Sequence, residues 1–141
     1  MREKHKILIV DDEAPFRSAL RRLLGKTHII LEADTGAAGL MLAEREDPDL
    51  VLLDIGLPDG DGFNVVDWLR QRADLARLPL VVYSGRELSQ DQRRQLTLGP
   101  TYFLAKTRVQ PQQLEALVLT MLRSARQTDE AATPESAVPN P

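Results

Sequence analysis

Five polar residues stand at or just beyond the ends of short apolar runs in this sequence. They are Asp11 and Asp12 after residues 7–10, Asp54 after 50–53, Ser84 after 80–83 and Lys106 after 103–105. If these runs are parallel strands of one sheet, their carboxyl ends share the edge at which open α/β sheets bind ligands. The pattern therefore predicts that three carboxylates, a hydroxyl and an ammonium group converge on one site.

The chemistry that suits such a site is phosphoryl transfer assisted by a divalent metal ion. Carboxylates held close together resist full ionisation, and a bound cation relieves that repulsion. Mg²⁺ prefers oxygen ligands, so Asp12, Asp54 and a backbone carbonyl of the following loop are candidate ligands. An aspartate can also be the nucleophile and form an aspartyl phosphate. Lys106 and Ser84 offer the positive charge and the hydroxyl donor that phosphoryl oxygens need.

Each of these residues also has an ordinary structural interpretation. Asp11 and Asp12 can cap a following helix and interact favourably with its N-terminal dipole. Lys106 taken alone is typical of a solvated surface lysine, and Ser84 of a turn at a strand end. Their joint occurrence at the ends of apolar runs favours the functional interpretation.

Apolar runs alternate with segments of helical period, which is typical of a parallel sheet covered by helices on both faces. Strands are predicted at residues 6–10, 28–33, 50–53, 80–84 and 102–105. Helices are predicted near residues 14–24, 36–45, from 62, 89–98 and from 111. The fourth helix has almost no apolar stripe, so we expect it to be short, exposed or mobile, with a capping box between Ser89 and Gln92.

The composition is that of one compact domain with an aliphatic core. The chain has 141 residues, 43% of them hydrophobic, and a formal net charge of -3, which argues against direct nucleic-acid binding. It has no cysteine, in keeping with a reducing cytoplasm, and we expect no signal peptide or membrane span. We predict a folded domain at residues 1–126 and a disordered tail or truncated linker at 127–141. His5 and His28 are predicted to be surface or strand-edge residues.

Four motifs, taken in order, resemble the receiver domain of two-component response regulators, of the chemotaxis-regulator type, over about residues 6–126. They are Val10-Asp-Asp-Glu13, Leu52-Leu-Asp-Ile-Gly-Leu-Pro-Asp-Gly-Asp-Gly62, Tyr83-Ser-Gly85 and Phe103-Leu-Ala-Lys106. The resemblance implies an α/β, flavodoxin-like fold, with five parallel strands in the order 2-1-3-4-5 and five helices on both faces. It further implies a cytoplasmic signalling switch that is no enzyme beyond catalysing its own phosphorylation and dephosphorylation.

The resemblance also implies a role for each residue of the acidic group. Asp54 matches the position that accepts the phosphoryl group. Asp11 and Asp12 match the acidic pair that binds Mg²⁺ together with Asp54. Gly56 matches the position whose backbone carbonyl completes the metal site.

The remaining implied roles concern the response to phosphorylation. Lys106 matches the lysine that pairs with the phosphoryl group, Ser84 the switch hydroxyl, and Phe103 the aromatic residue that changes rotamer on activation. The implied donor is a histidine kinase or a phosphotransfer protein. The implied output is a downstream protein that binds the fourth helix, fifth strand and fifth helix, with no direct contact to nucleic acid or membrane and with a homodimer on phosphorylation.

One position departs from the family pattern. Thr107 follows Lys106 where the family usually has a proline, often in a cis bond. Because a non-proline cis bond costs about 3–4 kcal/mol, we predict either a trans Lys106–Thr107 bond with a re-routed loop or a strained bond.

Two alternative functions are compatible with the same residues. One is an interaction module that keeps the fold but no longer depends on phosphate. The other is a Mg²⁺-dependent phosphatase with an aspartyl nucleophile, which is disfavoured because Gly56 stands where a second acid is usual. The sequence leaves open whether the chain acts alone or belongs to a longer or hybrid protein.

Overall fold

A computed structural model describes residues 4–57 and 61–131, and of residues 125–131 it describes only the helical backbone. Within these residues five strands alternate with five helices. The strands are β1 (Lys6–Val10), β2 (Ile29–Ala33), β3 (Leu50–Asp54), β4 (Leu80–Ser84) and β5 (Thr101–Ala105). The helices are α1 (Ala14–Leu24), α2 (Gly36–Glu46), α3 (Asp61–Arg70), α4 (Gln90–Gln95) and α5 (Pro111–Ala131). All strand pairs are parallel and the order is β2-β1-β3-β4-β5, which confirms the predicted flavodoxin-like architecture.

The register of the sheet brings the ends of the strands to one edge. Val10 of β1 is paired with Leu53 of β3, and Asp54 of β3 is paired with Tyr83 of β4. Ser84, the last residue of β4, is paired with Ala105 of β5. The residues that end or follow β1, β3, β4 and β5 therefore lie side by side, as the sequence predicted.

Two apolar clusters, one on each face of the sheet, hold the helices in place. There are two because successive side chains of a strand point to opposite faces. On one face Leu52 and Val81 pack with residues of α1 and α5. On the other face Leu53 and Val82 pack with residues of α2 and α3. The central strands β3 and β4 are buried along their whole length, so the site at their carboxyl ends rests on the buried core of the sheet.

Helix α4 is short and polar, as predicted. It has six residues, none of them buried. Ser89 caps its N-terminus, and the predicted capping box with Gln92 is confirmed: the Ser89 side chain accepts from the Gln92 N–H at 3.1 Å, and the Gln92 side chain accepts from the Ser89 N–H at 2.9 Å. The side-chain cap therefore stabilises α4 in part, since the helix lacks an apolar stripe that could pack against the core.

Two expectations concern residues near the ends of helices. The backbone of α5 continues through Ala131, past residue 126, while the domain boundary predicted there stays a prediction. The rest of the predicted tail, residues 132–141, lies outside the described residues. His28 directly precedes the edge strand β2, but with 7% exposure it is buried rather than at the surface; its Nδ1 atom lies 2.9 Å from Thr27 Oγ1 and 3.2 Å from the Leu24 carbonyl oxygen.

No helix in the described part of the chain is both long enough and apolar enough to cross a membrane.

Candidate functional site

Three carboxylates meet at the carboxyl ends of β1 and β3. Asp11, Asp12 and Asp54 each offer one oxygen, and these oxygens lie within 4.8 Å of one another. Asp11 is fully buried and Asp54 is 3% exposed, whereas Asp12 is exposed. The structure therefore brings together the acids that the sequence predicted, in a group that is closed toward the core and open to solvent at Asp12.

The loops that follow the two strands fold back on their own carboxylates. Asp11 Oδ1 accepts a hydrogen bond from the Glu13 N–H at 2.8 Å. Asp54 Oδ1 accepts one from the Gly56 N–H at 2.8 Å. A Cβ atom added at Gly56 would lie 3.2 Å from Asp54 Oδ1, so the absence of a side chain leaves room around this carboxylate. Each acid is thus held in one orientation by backbone groups.

Burial determines the electrostatics of Asp11. Desolvation raises the pKa of Asp11 above its ordinary value, although the hydrogen bond from Glu13 and the charge of Lys106 act in the opposite direction. Ionised Asp11 is therefore costly, and the nearby charge of Asp54 adds to that cost. A compact set of carboxylate oxygens of this kind suits a hard divalent cation such as Mg²⁺.

Lys106 lies directly against the acidic group. Its Nζ atom donates to Asp54 Oδ2 at 2.8 Å and to Asp11 Oδ1 at 3.3 Å, and it forms an ion pair with Glu13. Burial by itself lowers the pKa of Lys106, but hydrogen bonds to Asp54 and Glu13 outweigh it and the net pKa is raised. Lys106 is therefore a fixed positive charge beside Asp54, as the sequence predicted.

The backbone around Lys106 is regular. Its N–H donates to the Ser84 carbonyl oxygen at 2.7 Å, which continues the pairing of β5 with β4. No peptide bond among residues 4–57 and 61–131 is cis, so the Lys106–Thr107 bond is trans. The trans bond of the first predicted form is confirmed, whereas the re-routed loop stays a prediction.

Ser84 and Phe103 lie near the acids but face other groups. The Ser84 hydroxyl donates to the Arg86 carbonyl oxygen at 2.8 Å and accepts from the Arg86 N–H at 3.1 Å. Phe103 is half-buried, and the Arg93 guanidinium of α4 lies 5.3 Å from the centre of its ring. The two predicted switch residues thus connect the edge of the sheet to the loop before α4 and to α4 itself.

A cleft of about 400 Å³ opens beside the acidic group, between the loops that follow β3 and β4. Gly56, Ser84, Gly85 and Arg86 contribute to its wall, with Phe63 on the side of α3. A Cβ atom added at Gly85 would meet nothing within 4 Å, so the cleft is open at this point. Small residues therefore leave access to the region next to Asp54.

The sequence analysis assigned no role to Tyr83 and Phe16. The Tyr83 hydroxyl donates to Asp11 Oδ2 at 2.9 Å, and the rings of Phe16 and Tyr83 lie 5.3 Å apart. The Lys106 ammonium lies 5.1 Å from the Phe16 ring centre and 5.4 Å from that of Tyr83. Burial, followed by the charge of Asp11, raises the pKa of Tyr83, so its hydroxyl remains a protonated donor. The available signal was a tyrosine after three aliphatic residues of the predicted fourth strand, directly before Ser84.

Comparison with known proteins identifies the family. The chain matches the response regulator receiver domain over residues 7–119, and it belongs to this family. Receiver domains are signalling domains of two-component systems. The chain is 40% identical over 101 residues to the KDP operon transcriptional regulatory protein KdpE of Escherichia coli (strain K12), a match that covers 71% of this chain and 44% of KdpE. The chain spans about half the length of the curated relatives that it matches.

Solved structures agree with this assignment. A CheY-like response regulator receiver domain from Methanospirillum hungatei JF-1 superposes with a TM-score of 0.77 at 22% identity, over 89% of this chain and 98% of that chain. The Mn(2+)-bound form of the response regulator Rcp1 superposes with a TM-score of 0.64 at 26% identity, over 79% of this chain and 88% of that chain. The first likeness concerns the fold alone.

Proposed function

We propose that this chain is a phosphorylation-driven switch in which Asp54 accepts a phosphoryl group from a histidine kinase or a phosphotransfer protein. The observation that supports the proposal is the position of Asp54 between a backbone donor and a fixed ammonium. The Gly56 N–H holds Oδ1 and Lys106 holds Oδ2, each at 2.8 Å. In the transfer, a carboxylate oxygen of Asp54 bonds to phosphorus while the bond from phosphorus to the donor breaks.

The acidic group fits a role in binding Mg²⁺ beside Asp54. Asp11, Asp12 and Asp54 would hold the ion through the oxygens that lie within 4.8 Å of one another, with the Gly56 carbonyl as a further ligand. Bound Mg²⁺ would neutralise charge that develops on the phosphoryl oxygens. The relative Rcp1, 26% identical in sequence, has a structure in a Mn(2+)-bound form, which supports a divalent ion at this site.

Lys106, Ser84 and Phe103 would convert phosphorylation into a change of surface. Lys106 already contacts Asp54 and can pair with an added phosphoryl oxygen without leaving the site. Ser84 would exchange its bond to the Arg86 carbonyl for a bond to the phosphoryl group, which moves the loop before α4. Phe103 would change rotamer, and its contact with Arg93 would carry the change to α4.

The proposed output is a changed partner-binding surface formed by α4, β5 and α5. A downstream protein would bind this surface, and a homodimer through the same surface on phosphorylation stays a prediction. The net charge of -3 gives no support to direct nucleic-acid binding by this chain. The predicted cytoplasmic location also remains part of the proposal.

The test is phosphate uptake measured by mass. The chain is incubated with Mg²⁺ and acetyl phosphate, and intact protein mass is compared with that of Asp54→Ala. Asp67→Ala, which removes an exposed acid on α3, is the matched control. We expect one added phosphoryl group in the wild type and in the control, and none in Asp54→Ala. Uptake that persists in Asp54→Ala would refute Asp54 as the acceptor.

One observation favours a second candidate, a receiver-like interaction module that acts without phosphorylation. The Lys106 ammonium is already paired with Asp11, Glu13 and Asp54, so this lysine has anionic partners without a phosphoryl group. An intact chain that takes up no phosphate under the conditions above, yet still binds its partner, would support this module over the switch.

A further inference from the structure

The two oxygens of the buried Asp11 carboxylate have different partners. Oδ1 faces the shared space of the site, where it accepts from the Glu13 N–H and from Lys106 Nζ. Oδ2 accepts from the Tyr83 hydroxyl at 2.9 Å. Because Asp11 has no exposed surface, the donors to each oxygen determine how the carboxylate is oriented.

The sheet explains how Tyr83 reaches Asp11 across an intervening strand. Tyr83 is on β4 and is register-paired with Asp54 on β3, while Asp11 follows β1 on the other side of β3. The fully buried Tyr83 side chain lies with the apolar cluster of α1 and α5, and its ring contacts Phe16 of α1. Packing therefore fixes the ring, and the fixed ring places the hydroxyl against Asp11 Oδ2.

We infer that Tyr83 is a positioning residue for the metal site: its hydroxyl orients Asp11 so that Oδ1 stays directed at the space shared with Asp12 and Asp54. This inference rests on the proposed function, because it concerns the Mg²⁺ that assists phosphorylation of Asp54. Hydrogen-bond partners of metal-binding side chains commonly change metal affinity by about 10–100-fold when they are removed. The same range is expected for the Tyr83 hydroxyl.

The substitution Tyr83→Phe isolates the hydroxyl. It keeps the ring that packs against Phe16 and faces the Lys106 ammonium, and it removes only the donor to Asp11 Oδ2. Tyr102→Phe is the matched control, because Tyr102 is on the neighbouring strand β5 and packs against the same apolar cluster without a hydrogen bond to Asp11 in the described structure. Both variants lose a tyrosine hydroxyl, but only the hydroxyl of Tyr83 donates to Asp11 in the described structure.

The experiment measures Mg²⁺ affinity and phosphorylation separately. Isothermal titration with MgCl₂ gives the dissociation constant for the wild type and the two variants. The rate of phosphorylation by acetyl phosphate is then measured as a function of Mg²⁺ concentration. For Tyr83→Phe we expect a dissociation constant weakened roughly tenfold, and a half-saturating Mg²⁺ concentration raised to match. The maximal rate at saturating Mg²⁺ should equal that of the wild type, and Tyr102→Phe should match the wild type throughout.

Three results would overturn the inference. Equal Mg²⁺ affinity in Tyr83→Phe and Tyr102→Phe, in a protein whose wild type binds Mg²⁺ and is phosphorylated, refutes the role of Tyr83 and leaves the proposed function intact. A loss of rate in Tyr83→Phe that saturating Mg²⁺ does not restore assigns Tyr83 to the fold rather than to the metal site. A wild type without Mg²⁺ affinity refutes the proposed function as well.

Discussion

The acidic site and helix α4 are separated by a single loop, yet they are stabilised in opposite ways. Asp11 and Asp54 are buried, and each of their carboxylates is held by a backbone N–H and by Lys106. Helix α4 has six residues, none of them buried. The contrast indicates that burial and hydrogen bonds fix the positions of the site carboxylates. The neighbouring helix α4 has no buried residue to hold it in the same way.

The contacts that hold α4 are few and mostly at its ends. The capping box holds its first turn. Arg70 of α3 donates to the carbonyl oxygens of Gln95 and Thr97 at 2.7 Å each, and Leu96 is the buried anchor at its C-terminus. Segments with few buried apolar contacts have low local stability. In the proposed switch, a small change at Ser84 or Phe103 would therefore shift α4 without disturbing the sheet.

The largest expected effect comes from the core beneath the site. Leu52→Ala removes a fully buried side chain from β3, on the face covered by α1 and α5. We expect the free energy of unfolding to fall by about 2–5 kcal/mol, measured by urea denaturation. Leu119→Ala is the control, because Leu119 on α5 is 37% exposed and its truncation should cost less than about 1 kcal/mol. Equal losses in the two variants would contradict a rigid core under the site.

The next largest effect is a gain in the free energy of unfolding, expected when the charge of Asp11 is removed. Burial raises the pKa of Asp11, so the folded protein binds a proton there more tightly than the unfolded chain does. Ionised Asp11 therefore destabilises the fold as the pH rises from the ordinary aspartate value through its raised value. Without Mg²⁺, Asp11→Asn should raise the free energy of unfolding at pH 7 by about 1–2 kcal/mol.

The pH dependence of this gain checks its cause. Urea denaturation in a metal chelator should show the advantage of Asp11→Asn at pH 7 and its disappearance as the pH falls through the raised pKa of Asp11 and below the ordinary aspartate pKa of 3.8, where the carboxyl group is protonated in both states. Asp12→Asn, at an exposed position, should gain less. A loss of stability in Asp11→Asn at pH 7 would show that its hydrogen bonds outweigh the burial of its charge.

The smallest effect is confined to α4. Ser89→Ala removes the side-chain cap and should destabilise this helix by about 1 kcal/mol. We expect amide hydrogen exchange in α4 to become roughly fivefold faster while exchange in β3 is unchanged. The control is Thr35→Ala, which removes the corresponding cap from α2, a helix with buried residues. In Thr35→Ala the lost stability should lower the free energy of global unfolding and leave amide exchange within α2 unchanged. Equally accelerated amide exchange in α2 and α4 would contradict the difference in local stability between the two helices.

The elements were predictable because they depend on local patterns. The predicted limits of β1, β4 and α1 are those observed, since apolar runs and helical stripes directly encode buried surface. The end of α5 was less predictable, because no glycine or proline stands near residue 126 to end the helix, and its backbone continues through Ala131. His28 is buried rather than exposed: its ring nitrogen lies against Thr27 and Leu24 in the turn from α1 to β2, a contact that the apolar pattern of the sequence does not encode.

For the site, the sequence by itself determined which groups stand at the ends of the apolar runs: Asp11, Asp54, Ser84 and Lys106 follow runs whose pattern predicts buried strands of a parallel sheet. Only the tertiary structure decided how those groups are paired. The bond from Tyr83 to Asp11 crosses a strand, and the contact of Lys106 with Asp54 joins residues 52 positions apart. Such contacts depend on register and ring packing, which bring distant residues within hydrogen-bond distance and leave no periodic pattern along the chain.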